Sequence, residues 1–87
     1  MNKVYRIYTE DLNRSKITRL ASKTFDSFTL QPTVGYYGGK PEKSVVLEMV
    51  EARQSDVTAL ANAIRRLNGQ KSVLVMRLTG RVKRVQL

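Results

Sequence analysis

Cysteine is absent from this 87-residue chain, and so is histidine. The first absence excludes disulfides and thiolate metal sites, leaving only oxygen ligands for a metal. The second removes the one side chain that titrates near neutrality without help, so acid–base catalysis would need carboxylate, lysine, tyrosine or hydroxyl groups shifted by their surroundings. A non-enzymatic protein without a cofactor is therefore the expectation. Long apolar runs are missing as well. The opening MNKVYRIYTEDLNR lacks the roughly 7–15-residue apolar core of a secretory signal, and nothing approaches the roughly 18 residues that span a bilayer. A cytoplasmic protein with no membrane partner is expected. A hydrophobic content of 41% is enough to fold, as one domain over residues 1–87 near the lower size limit for a core without staples.

Acid is missing from the C-terminal third. Behind the net charge of +9, nine bases and all seven acids lie in residues 1–56, a net of +2. From Val57 onward Arg65, Arg66, Lys71, Arg77, Arg81, Lys83 and Arg84 stand unopposed, a net of +7. A field of that sign gathers polyanions or acidic protein surfaces. Arg65 and Arg66 with Arg81, Lys83 and Arg84 form the expected anion or nucleic-acid surface, against the plainer reading of a solvated basic face.

Periodicity organises the rest. KVYRIY, residues 3–8, alternates as a strand, and Leu12, Ile17, Leu20 and Ala21 share a helical stripe over 12–24, with Thr9, Asp11 or Asn13 as N-cap. Residues 27–37, SFTLQPTVGYY, read as an edge or bulged strand because Pro32 cannot donate to a ladder. A strand over 44–51 follows. QSDVTALANAIRRLNG repeats Val57, Leu60, Ala61, Ile64 and Leu67 at helical spacing, opens at Ser55 or Asp56 and closes at Asn68 and Gly69. KSVLVMRL, 71–78, is the last strand, with an extra short strand or a frayed end in RVKRVQL. The order predicts a ferredoxin-like βαββαβ fold: a four-stranded antiparallel sheet of order 4-1-3-2, both helices on one face.

That layout assigns Tyr5, Ile7, Val45, Leu47, Met49, Leu74, Met76 and Leu78 to the helix side. Val4, Arg6, Tyr8, Val46, Glu48, Val50, Val73, Val75 and Arg77 face away. A solvated sheet face should be mostly polar, and this one is mostly valine. Homodimerisation through the sheet is expected, although valine also favours exposed strands. Arg77, Arg6 and Glu48 would form a row flanked by Tyr8, either an anion site at the interface or a charge cluster that sets its register.

GYYGGKPEKS is no phosphate-cradling loop, for it lacks the Walker spacing and leads into a strand. It reads as a hairpin bend. Its functional alternative has Tyr36 and Tyr37 stacking a base while Lys40 and Lys43 meet phosphates. Glu10 and Asp11 suit the first turn of a helix better than a carboxylate or metal site. An RNA-recognition platform is excluded by SVVLEMV, which carries no stacking aromatic where that motif requires one.

FDSFTL, GYYGGK, EKSVVLE and QKSVLV, spread over about residues 26–74, resemble motifs of a family of small uncharacterised bacterial and phage proteins. The resemblance implies a compact α+β domain, contributes no catalytic residue, and extends to a phage-type counter-defence or regulatory inhibitor. The leading expectation is thus a dimeric binding protein for an acidic partner: nucleic acid, nucleotide or acidic protein surface. Two alternatives remain, a small dimeric enzyme using Glu10, Asp11 or Glu48 with tyrosine or arginine, and an assembly module built on the valine face.

Overall fold

The computed structural model describes residues 2–80, Lys83 and Val85. The elements run β1 (Asn2–Glu10), α1 (Arg14–Thr24), β2 (Thr29–Tyr37), β3 (Lys40–Val50), α2 (Gln54–Asn68) and β4 (Leu74–Gly80). All strand pairings are antiparallel, in the order β2-β3-β1-β4. This is the expected ferredoxin-like α+β arrangement. Among the described residues no helix is long and apolar enough to cross a membrane.

Alternation puts Tyr5, Ile7 and Thr9 of β1 and Val45, Leu47 and Met49 of β3 on one face, all buried. Ile17 and Ala21 of α1 and Val57, Leu60, Ala61 and Ile64 of α2 close over them. Each helix therefore contributes a stripe at helical spacing to a single core.

The ends of the elements follow local chemistry. Gly38 and Gly39 both take positive φ, 55° and 78°, which a two-residue hairpin linking Tyr37 to Lys40 requires. Gly69 is left-handed at φ 65° and, with Gln70, returns N–H groups to the last carbonyls of α2. One helix start falls on an expected residue and the other does not. Asn13 occupies the N-cap of α1 without a side-chain cap bond, and Arg53, not Ser55 or Asp56, precedes α2.

β3 begins at Lys40 rather than 44, because the hairpin continues the ladder through Tyr36↔Pro41 and Val34↔Lys43. Pro41 is tolerated there because the β1 ladder reaches only Ser44. Pro32 sits on edge strand β2, opposite Val45.

β4 overturns an expectation. Tyr5 pairs with Arg77, Ile7 with Val75, and Arg6 with Met76. Directly paired residues share a face. Leu74, Met76 and Leu78 therefore lie on the side away from the helices, while Val73, Val75 and Arg77 have the helix-side parity, the reverse of the assignment from sequence. A single-residue shift in register exchanges the two sets, and SVLVM is apolar at both.

Candidate functional site

The sheet face away from the helices is built by Val4, Arg6 and Tyr8 of β1, Val46, Glu48 and Val50 of β3, Leu74, Met76 and Leu78 of β4, and Thr29, Gln31 and Thr33 of β2. Apolar side chains dominate three of those strands, and a polar margin lies on the fourth. Leu74 is 59% exposed and Val50 42%. Edge strand β4 is open on both sides, since Val75 on the opposite face also remains partly uncovered. Such a surface is more apolar than water-facing sheets usually are.

In its middle, Arg6 Nε donates to Glu48 Oε2 at 2.7 Å. The pair is partly exposed, so its contribution to stability is modest. Glu48 first, and the Tyr8 hydroxyl next, raise the Arg6 pKa above its ordinary value, so the guanidinium stays charged. Beside it lies a trough of about 340 Å³ lined by Arg6, Tyr8, Thr29, Gln31, Thr33, Val46 and Glu48. Thr33 and Ser44 share a hydroxyl hydrogen bond of 2.7 Å at its margin. The Arg6–Glu48 pair, the Tyr8 phenol, an amide and hydroxyls thus converge on one hollow with a valine, a polar wall suited to a small polar ligand with a flat apolar part.

The row through this site is Met76, Arg6, Glu48, Thr29. Arg77 is not in it: it pairs with Tyr5 and has the parity of the opposite face. Arg6, Tyr8 and Glu48 come together as expected. The contributions of Thr29, Gln31 and Thr33 were missed from sequence, although they are the polar alternates of SFTLQPT and their parity was readable.

The hairpin residues divide. Tyr37 and Lys40 pair on one face, while Tyr36, paired with Pro41, shares the other with Lys43. Tyr36 and Tyr37, 72% and 85% exposed, therefore cannot sandwich one base with both lysines from one strand. Of the expected basic surface, Arg65 is half-buried and Arg66 exposed in the last turn of α2, and Lys83 is exposed. Arg81 and Arg84 lie outside the described residues.

A second cleft, about 410 Å³, runs between Glu10, Tyr37, Glu42 and the loop Asn68–Ser72. Its loop is held by side chains: Thr9, 4% exposed, donates to Gln70 Oε1, and Asn68 Nδ2 reaches both Thr9 and Gln70. Asp11 belongs to neither cleft's chemistry as an acid or base. Arg14 bonds both its oxygens and holds its carboxyl below the usual range. Among the described residues no group of three acidic side chains could hold a metal ion.

No family model matches the chain, and no curated protein does. Solved structures do share its fold. A DUF3240 family protein from Shewanella baltica superposes with a TM-score of 0.71 at 9% identity, covering 99% of this chain and 97% of that one. A nitrogen regulatory PII-like protein from Thiomonas intermedia, bound to ADP, AMP and bicarbonate, matches at 0.67 and 15%, covering 98% and 96%. A phage SAM lyase in complex with S-methyl-5'-thioadenosine matches at 0.59 and 18%, covering 88% and 80%. At these identities the likeness establishes the fold alone, an α+β domain of the ferredoxin-like kind.

Proposed function

We propose that this protein is a non-enzymatic binding protein that associates with itself through the outer sheet face and takes a nucleotide-class ligand in the trough beside Arg6. The observation that carries this reading is the hollow itself: the Arg6 guanidinium with one edge on Glu48, the Tyr8 ring and the polar edge of β2 around about 340 Å³ in an otherwise apolar face. Pockets for small ligands begin at about this volume. The guanidinium offers paired donors to a phosphate, and the ring offers a surface to a base. A hollow of that size fits a mononucleotide better than a polymer. Two proteins of similar fold are described with adenine nucleotides or an adenine nucleoside bound, which supports the ligand class. Burying Leu74, Met76, Val46 and Val50 against another copy would deepen the trough and remove water from the Arg6–Glu48 pair. The setting we propose, on the motifs in residues 26–74 alone, is regulatory: withholding such a ligand, or reporting it, as a phage-type inhibitor would.

Native mass spectrometry of the purified protein reports subunit number and co-purifying ligand together. Calorimetric titration with AMP, ADP and adenosine then tests the site. Arg6→Gln should weaken AMP and ADP by roughly 10- to 100-fold, the worth of a charge-assisted hydrogen bond, and adenosine far less. Absence of binding by all three, or equal affinity in the variant, would refute the reading.

A further inference from the structure

The helical layer, on the side of the molecule opposite the trough, carries a charged feature of a different kind. Lys16, Arg19 and Lys23 of α1 stand at i, i+3 and i+7, which places them along one side of the helix over roughly 10 Å. They border a hollow of about 210 Å³ whose remaining walls are Leu20 and Leu67. Both leucines are only partly buried against the core. α1 contains no acidic residue. Ion pairing elsewhere accentuates this: Asp11 is taken by Arg14, Glu48 by Arg6 and Asp56 by Arg53. Among the described residues no ion pair involves Lys16, Arg19 or Lys23. Arg66, next to Leu67, adds a further exposed cation on α2.

We infer that this groove between α1 and α2 docks an acidic segment of another protein, anchored by one aliphatic side chain on Leu20 and Leu67 and held by carboxylates on Lys16, Arg19 and Lys23. The charge is complementary to acid, and the floor selects among acids. A phosphate backbone makes no use of an apolar floor. Single-stranded nucleic acid would need aromatic rings on which to stack its bases, and this groove has none. A peptide that combines carboxylates with a leucine-like side chain uses both features, with the lysine and arginine stems extending the apolar wall. The inference is independent of ligand binding at the sheet face, because none of its residues lines that trough.

The test is fluorescence anisotropy of a labelled peptide of glutamates around a central leucine, beside the same peptide with serine at the centre and a single-stranded oligothymidylate. The leucine peptide should bind, with affinity falling as salt is raised. The serine peptide should be weaker by about tenfold. Replacing the three cations together, Lys16→Gln, Arg19→Gln and Lys23→Gln, should weaken the leucine peptide by at least about tenfold while leaving the circular dichroism and the melting temperature in place. Methyl chemical shifts of Leu20 and Leu67 should move on titration of the parent protein. Equal binding of leucine and serine peptides, tighter binding of the oligonucleotide, or indifference to the triple substitution would each overturn the inference.

Discussion

Replacing Leu74 with lysine tests the proposed self-association separately from folding. Leu74 lies on the outer sheet face opposite Tyr8 and is 59% exposed. Burying a whole leucine side chain is worth about 2 kcal/mol, so covering that fraction is worth about 1.2 kcal/mol. In a two-fold interface the loss occurs twice, about 2.4 kcal/mol, which raises the dissociation constant by roughly 50-fold before any cost of desolvating the ammonium. The subunit itself should be indifferent. Exposed substitutions stay within about 0.5 kcal/mol, so the melting temperature of dilute protein should shift by no more than about 4 °C. Sedimentation equilibrium over a concentration series, for parent and Leu74→Lys, measures the first quantity, and thermal unfolding by circular dichroism the second. A parent protein that is monomeric throughout the series would refute the argument. So would association that Leu74→Lys leaves unchanged, since the contact would then lie elsewhere.

Two further outcomes concern the fold. The Tyr5 hydroxyl is buried with no hydrogen-bond partner among the described residues, so Tyr5→Phe should stabilise by about 1 kcal/mol, a rise of roughly 4–8 °C, whereas a drop would mean that the hydroxyl is satisfied. Arg14 lowers the Asp11 pKa below its ordinary 3.8. The stability this contributes is present above that value and is lost as pH falls through the lower, folded value. Asp11→Asn should therefore flatten the acid limb of the stability curve and lower stability at neutral pH; an unchanged acid limb would contradict the pairing.

Much of the architecture was legible because it depends on short-range chemistry. The period of Val57, Leu60, Ala61, Ile64 and Leu67 specifies α2 and its buried stripe, and Gly69 specifies where it stops. Gly38 and Gly39 mark the hairpin, and Pro32 marks an edge strand. The start of β3 was not legible, because KPEK has loop composition and becomes strand only by pairing with residues 34–37 across the turn. Of the capping candidates, Asn13 stands at the start of α1, whereas Asp11 and Asp56, capping types by sequence, each bond a nearby arginine.

The candidate site was half legible. Arg6, Tyr8 and Glu48 follow from alternation on β1 and β3, whose inner sets are unambiguous. Arg77 did not follow, because Val73 through Met76 offers an apolar set at either parity and only the pairing with β1 chooses between them. Composition located positive charge in the C-terminal third. In the folded chain, a basic stripe also stands on α1, which has no acid of its own, and three of the seven acids in residues 1–56 are held by Arg6, Arg14 and Arg53.

By itself, then, the sequence determined the order and type of the six elements, the single core and the exclusion of cysteine and histidine chemistry, all consequences of residue type and local periodicity. Tertiary structure alone decided which face β4 presents and that Thr29, Gln31 and Thr33 join Arg6 in one hollow. Those depend on register and on distances between residues far apart in the chain, and no local pattern encodes them.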